Sequence, residues 1–102
     1  MTVYRCRKGV VLTEICNEYL LVASKTAREY CPYVKQVNET AAVLWKAMTT
    51  GAAMEDLMDA LQERYEIPDR EGAMGQVGTF LKAMIENGYV LKEESDSNSN
   101  GR

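Results

Sequence analysis

Residues 37–48 read Val-Asn-Glu-Thr-Ala-Ala-Val-Leu-Trp-Lys-Ala-Met, and this stretch decides the fold. Asn38 has a side-chain oxygen suited to accept a hydrogen bond from the first turn of a helix, and Glu39 favours the positive end of the helix dipole. The apolar residues then follow at the i, i+3, i+4, i+7 spacing of one helical face: Ala41, Leu44, Trp45 and Met48. The stretch predicts an amphipathic helix that ends at residues 49–51, with Gly51 as the terminating glycine. Its face places Trp45 in the core rather than against a ligand.

Three short runs before this helix predict strands. Residues 9–16 and 19–23 are rich in β-branched and aliphatic residues, and the polar pair Asn17-Glu18 between them predicts a hairpin. Residues 24–32 are polar and predict a loop. Residues 33–37, Tyr-Val-Lys-Gln-Val, mix apolar and polar positions as an exposed edge strand does. Pro32 supports a strand start there, because proline cannot donate to a ladder.

Two further helices and a short strand follow. The apolar spacing predicts one helix from about Met54 to Tyr65 and another from about Arg70 to Asn87. Pro68 ends the former by disfavouring the helical conformation of Ile67, and Asp69 can cap the latter. Residues 89–91 predict a short final strand. Residues 93–102 are polar and acidic, without apolar side chains to bury, and predict a disordered tail.

The order of these elements predicts one domain over residues 1–92. It belongs to the α+β class, as a three-stranded antiparallel sheet followed by three helices and a short final strand. Three helices on a small antiparallel sheet are typical of a winged helix-turn-helix. The acidic positions of the second helix lie on its polar face and predict a solvated surface rather than paired catalytic carboxylates.

Composition argues against catalysis and against several partners. The chain has no histidine, and its three cysteines form no CxxC pair, so we expect no metal site, no cofactor and no disulfide framework. The net charge of −3 disfavours nucleic acid and anionic membranes as partners. No apolar run is long enough to span a membrane and no signal peptide opens the chain, which predicts a cytoplasmic protein.

The same stretches, in order, resemble a known family. Residues 37–45 resemble the opening of the first helix in PqqD-like proteins, the pyrroloquinoline quinone biosynthesis D protein and its relatives. Residues 9–12 and 19–22 are similar to the family's first two strands, 56–65 to its second helix, and 80–90 to the end of its third. The resemblance spans about residues 9–91. The chain departs at Ala52-Ala53, where relatives often carry a Thr or Ser that caps the second helix.

The resemblance implies a non-catalytic protein that binds the leader segment of a ribosomally synthesised precursor peptide. The leader adds as a strand to the edge of the third strand and lies against the third helix. The complex then docks on a modifying enzyme, such as a radical S-adenosylmethionine enzyme, a cyclase or a leader peptidase, with the binding protein a monomer or weak dimer. The residues implied in peptide binding are Tyr33, Val34, Lys35, Gln36, Val37, Met74, Val77, Gly78, Leu81 and Lys82.

Two alternatives stay open. Gly72, Gly75 and Gly78 recur along the third helix, where bare backbone lets a peptide approach closely; the same glycines also fit a weakly specified helix start. Val77 and Leu81 fit the core equally well. The alternative function is a winged-helix DNA-binding transcriptional regulator. It would have to read DNA with Arg70, Gln76 and Lys82, which Glu71 and Glu86 oppose.

Overall fold

The structure, a computed structural model, describes residues 1–94 of the chain. These residues form five strands and three helices. The strands are β1 (Thr2–Cys6), β2 (Val10–Ile15), β3 (Glu18–Ala23), β4 (Val34–Val37) and β5 (Val90–Glu94), and the helices are α1 (Glu39–Ala47), α2 (Met54–Arg64) and α3 (Arg70–Glu86). The predicted winged-helix order of three strands, three helices and a final strand is confirmed for β2 to β5, and β1 precedes it as an additional strand. No helix in the described part of the chain has the length and apolar character needed to cross a bilayer.

Strands β2, β3 and β4 form an antiparallel sheet in that order, with β3 in the centre. The β2–β3 hairpin runs from the pair Val10–Ala23 to the pair Ile15–Glu18. Its two-residue turn, Cys16-Asn17, has left-handed φ values of 53° and 67°. A turn with two positive φ values matches the twist of the flanking strands, so this hairpin closes tightly without the Asn-Gly pair usual at such turns.

A second, two-stranded ribbon pairs the two ends of the described chain. Strand β1 is antiparallel to β5, from Thr2–Glu94 to Cys6–Val90. The other edge of β1 is bridged by the α1–α2 loop, where Tyr4 and Ala52 exchange backbone hydrogen bonds of 2.8 and 2.9 Å. The sequence predicts no element for residues 1–8, and the structure adds this strand.

The ribbon also corrects the predicted boundary of the tail. Strand β5 continues beyond Leu91, so Glu93 and Glu94 lie in a strand rather than in a disordered segment. Arg5 faces Glu93 at 3.4 Å across the ribbon. The remainder of the predicted tail, residues 95–102, lies outside the described residues.

Helix caps explain where the helices begin. The Asn38 side chain accepts a hydrogen bond of 2.8 Å from the N–H of Ala41, and the Asp69 side chain accepts one of 3.1 Å from the N–H of Gly72. Both predicted caps are confirmed. Ala53 has no side-chain acceptor, but the Asp56 carboxylate accepts from the Ala53 N–H at 3.0 Å. A backbone N–H at the start of α2 therefore finds its hydrogen-bond acceptor in a side chain of the helix itself rather than in the side chain of the capping residue.

One apolar core joins the helices to both sheets. Trp45 is 5% exposed within it, which confirms its predicted packing role. The core's fully enclosed side chains include Leu21, Leu44, Met48, Leu57, Met58, Leu81, Met84, Tyr89 and Val90.

One contact of this core fixes the edge strand β4. The buried Tyr89 donates its hydroxyl hydrogen to the carbonyl of Pro32 at 3.0 Å. Gly88 lies directly against the carbonyl of Tyr30. The turn between α3 and β5 thereby holds the loop that leads into β4.

Gly88→Ala tests that contact. Gly88 has a left-handed φ of +86°, and an added Cβ would lie 2.0 Å from the Tyr30 carbonyl oxygen. We expect the free energy of unfolding to fall by about 1–3 kcal/mol or more. Gly75→Ala is the matched control, because its Cβ would meet nothing within 4 Å; there we expect a gain of about 0.5–1 kcal/mol. Urea denaturation measures both, and equal effects at the two glycines would contradict this role for Gly88.

Candidate functional site

Strand β4 lies at the edge of its sheet, and the ladder fixes which of its peptide groups point outward. The Ala23 N–H donates to the Tyr33 carbonyl at 2.7 Å, which makes these two residues a hydrogen-bonded pair. The register continues as Val22–Val34, Leu21–Lys35 and Leu20–Gln36. Because hydrogen-bonded and non-hydrogen-bonded pairs alternate in an antiparallel ladder, the peptide groups of Val34 and Gln36 point away from β3. An extended peptide can add as a strand to such an edge, because the N–H and C=O groups of every second residue are free to pair with its backbone.

The β4 side chains divide between the two faces of the sheet. Lys35 and Val37 are half-buried on the face that they share with the buried Leu21. Val34 is 47% exposed and lies with Gln36 on the opposite face. The exposed Tyr33 precedes the strand, and the Arg28 guanidinium stacks over its ring at 3.8 Å. The edge therefore carries an aromatic ring at its start and apolar and polar positions along it.

A concavity lies beside the end of this strand, between α1 and α3. We call it the β4–α3 hollow; it encloses about 250 Å³ and is lined by Asn38, Thr40, Ala41, Leu44, Gln76, Val77 and Phe80. Asn38 follows Val37 directly, so the hollow continues from β4. Val77, which is 4% exposed, and the buried Leu44 give it an apolar floor. Polar groups of Asn38, Thr40 and Gln76 surround that floor.

The other helix residues in the predicted peptide site lie elsewhere. Gly78, Leu81 and Lys82 line a second hollow of about 410 Å³, together with Tyr4, Ile85, Glu86 and Lys92. At 100° per residue, Gly78 lies roughly 160° around the helix from Gln76, and Lys82 lies roughly 160° from Phe80. Leu81 is a core residue and Met74 is half-buried. Of the predicted helix residues, the structure brings Val77 alone to the β4–α3 hollow.

Apart from Val77, none of the residues that line this hollow was predicted to contact the peptide; the six are Asn38, Thr40, Ala41, Leu44, Gln76 and Phe80. Phe80 lies on the same apolar stripe as Val77, and Gln76 lies one turn before it, so helical spacing contained the signal for both. Which flank of α3 borders this hollow could not be predicted from the helical spacing, because it depends on how α3 packs against α1.

Two of the three glycines in α3, Gly75 and Gly78, are not required by packing, because each has room for a side chain. A Cβ on Gly75 or Gly78 would meet nothing within 4 Å, whereas Gly72 lies against the Asp69 carboxylate that caps the helix. Helix α3 is regular from Arg70 onward. The bare backbone of Gly78 opens onto the second hollow rather than onto the β4–α3 hollow.

Two of the three cysteines, Cys6 and Cys31, pack against the core, and the third, Cys16, lies at a turn. Cys6 is partly buried, lies 3.3 Å from the Trp45 carbonyl, and burial raises the pKa of its thiol to about 12. Burial likewise raises the pKa of the Cys31 thiol. Both are therefore protonated at neutral pH and are poor nucleophiles. Cys16 is exposed at the β2–β3 turn. Within residues 1–94, no three His, Cys, Asp or Glu side chains are grouped so as to hold a metal ion.

The family model described as coenzyme PQQ synthesis protein D (PqqD) matches residues 32–90, more than half of the chain. The chain belongs to the PqqD family. The matched segment begins just before β4 and includes α1, α2 and α3, the elements that build the edge and the hollow. The family resemblance predicted from the sequence is confirmed.

Solved structures share the fold of this PqqD-family chain. The lasso peptide synthetase B1 complexed with the leader peptide has a TM-score of 0.66 and 22% identity, over 86% of this chain and 96% of that chain. TbiB1 in complex with the TbiA(beta) leader peptide has a TM-score of 0.68 and 20% identity, over 90% of this chain and 99% of that chain. Comparison with curated protein sequences gives no match.

A pair of proline substitutions tests the orientation of the β4 peptide groups. Val34→Pro removes an N–H that points away from β3, so we expect the free energy of unfolding to change by less than about 1 kcal/mol. Lys35→Pro removes an N–H that faces β3 and leaves its acceptor unpaired, so we expect a loss of about 1–3 kcal/mol. Thermal or urea denaturation measures both. A larger loss at Val34 than at Lys35 would show that the outward positions are assigned to the wrong residues.

Proposed function

We propose that this chain is a non-catalytic peptide-binding protein that takes the leader segment of a ribosomally synthesised precursor peptide as an added strand on β4. The observation that carries the proposal is the open β4 edge, with the peptide groups of Val34 and Gln36 turned outward beside an apolar-floored hollow. Membership of the PqqD family supports it, as do two similar structures that were solved with leader peptides.

Recognition divides between the leader's main chain and its side chains. Hydrogen bonds to the backbone of Val34 and Gln36 supply affinity that does not depend on the leader's sequence. Side chains alternate along an added strand, so one set faces the β4–α3 hollow and the other lies beside Val34. The floor of Leu44 and Val77 fits an aliphatic or aromatic leader side chain.

The proposed contact surface is narrower than the set implied by the sequence resemblance. It comprises Tyr33 to Val37 on the strand, with Asn38, Gln76, Val77 and Phe80 around the hollow. Gly78 and Lys82 lie on the opposite flank of α3, away from a peptide added to β4.

The bound leader is presented to a second protein that performs the chemistry. A modifying enzyme of the radical S-adenosylmethionine, cyclase or leader peptidase kind fits this arrangement. The present chain, which has no histidine and whose Cys6 thiol is held protonated, then supplies binding alone. We place this activity in the cytoplasm, where precursor peptides are synthesised, with the chain acting as a monomer or weak dimer.

DNA binding gains no support from the charges of the helices. Residues 39–94 contain five basic and eleven acidic side chains, a net charge of −6. Arg70, one of the three residues that would have to contact DNA, is paired with Glu55 at 2.8 Å and with Asp59 at 3.7 Å. Such a surface repels a phosphate backbone.

Titration calorimetry with a synthetic leader tests the proposal. The leader is taken from a short precursor gene found by inspecting the genes that neighbour the gene for this chain. We expect wild-type protein to bind it without changing its mass, and Val34→Pro to weaken binding by about ten-fold or more through loss of an outward N–H. Glu14→Pro is the matched control, since it places proline on β2, the opposite edge of the same sheet.

Two results would contradict the proposal. The first is no measurable binding of the leader of any neighbouring precursor. The second is equal loss of affinity from proline on β4 and on β2, which would indicate a general loss of structure rather than a blocked edge.

A further inference from the structure

A third concavity lies outside the β4 edge and the β4–α3 hollow. It forms where the end of β1 meets the short turn of 3₁₀ helix at Ala27–Glu29, and it encloses about 310 Å³. We call it the basic hollow; its lining includes Arg5, Arg7, Lys8, Ala27, Tyr30 and Leu91. Three cations and two large apolar side chains thus surround one surface depression.

The apolar side chains of the basic hollow are open to solvent. Tyr30 is 57% exposed and Leu91 is 37% exposed. Exposed large apolar groups beside a depression are a common feature of interaction surfaces. The floor can therefore bury an aliphatic or aromatic side chain of a partner.

The central cation of the basic hollow is held in place by the fold. The Arg7 guanidinium stacks on the Tyr30 ring at 4.2 Å, and its Nε donates to the Gly88 carbonyl. Neither contact neutralises the charge of Arg7. A pre-positioned cation loses little conformational entropy when a carboxylate binds it. Arg5 differs, because Glu93 lies 3.4 Å away.

Charge is distributed unevenly along the chain, and the basic hollow lies at the positive end. Residues 1–38 contain six basic and three acidic side chains, a net charge of +3, whereas residues 39–94 have a net charge of −6. The three cations of the hollow, Arg5, Arg7 and Lys8, all belong to this basic segment. This region attracts carboxylates although the whole chain is negative.

The basic hollow lies close to the start of β4. Tyr30 precedes Tyr33 by three residues, a span of at most about 10 Å. The connecting loop is held at both ends, by Gly88 against the Tyr30 carbonyl and by the Tyr89 hydroxyl on the Pro32 carbonyl. A peptide that leaves the β4 edge beside Tyr33 therefore meets Tyr30 and Arg7 within a few residues.

We propose that the basic hollow binds an acidic segment of the same leader peptide, next to the residues that pair with β4. Asp or Glu side chains of that segment meet Arg7 and Lys8, and an apolar neighbour packs on Tyr30 and Leu91. The inference rests on the proposed leader binding. It specifies the chemical class of the ligand, a leader segment that contains acidic and apolar residues. It also provides a second contact that fixes the direction and register of the added strand.

Charge reversal tests the inference. Lys8 is exposed, so Lys8→Glu leaves the core and the Arg7 contacts intact; Lys46→Glu, exposed on α1, is the control with the same change in net charge. With the neighbouring precursor's leader at low salt, we expect Lys8→Glu to weaken binding about five-fold. The loss shrinks as salt is added. We expect Lys46→Glu to bind within about two-fold of wild type, because its charge lies away from the ligand. A leader in which Asn and Gln replace Asp and Glu should bind Lys8→Glu and the wild-type protein with equal affinity.

The outcomes separate this inference from the proposed function. If wild type binds the leader and Lys8→Glu binds it equally well, the inference fails and leader binding stands. If wild type binds no leader, both fail. If Lys8→Glu leaves leader affinity unchanged but prevents capture of the purified modifying enzyme, the hollow serves the enzyme and the inference is overturned.

Discussion

The hydrogen bond from the Ala23 N–H to the Tyr33 carbonyl sets the phase of the ladder on which the proposed site depends. Because that pair is hydrogen-bonded, Lys35 and Val37 turn their peptide groups inward, and Val34 and Gln36 turn theirs outward. A shift of one residue would exchange these roles and would also move the half-buried Val37 to the solvent face. Burial of Val37 and exposure of Val34 therefore fix the same register that opens the edge.

A peptide groove needs structural elements beside the β4 edge, and contacts that hold those elements in place. The turn between α3 and β5 holds one boundary in place, because Tyr89 is fully buried and donates its hydroxyl hydrogen to the carbonyl of Pro32, just before β4. The start of α1 supplies the other boundary, since the Asn38 cap follows β4 without an intervening loop. The strand, the cap and the helix flank are thus connected covalently or by buried contacts, which favours a preformed site over one ordered by its ligand.

Local signals predicted most of the fold. The Asn38 and Asp69 caps, the apolar stripes and the strand runs each depend on residues a few positions apart, and the structure confirms them. Strand β1 and its pairing with β5 were missed, because the pairing joins residues from opposite ends of the described chain, such as Thr2 and Glu94. The edge strand β4 was also predicted from a local pattern, the mixed apolar and polar residues of 33–37. Of the α3 residues expected to bind the peptide, Val77 alone lines the β4–α3 hollow, whereas Gly78 and Lys82 line the second hollow. Helical spacing alone does not show which flank of α3 borders which hollow, because that depends on contacts with residues distant in the sequence.

Amide hydrogen exchange at β4, with and without the leader peptide, tests the central claim most directly. In the free protein we expect the Val34 and Gln36 amides to exchange fast and the Lys35 and Val37 amides to be protected by β3. Leader binding should then protect Val34 and Gln36, because their N–H groups become hydrogen-bonded to the added strand. Exchange at Val34 and Gln36 that stays fast in a saturated complex would contradict strand addition on this edge.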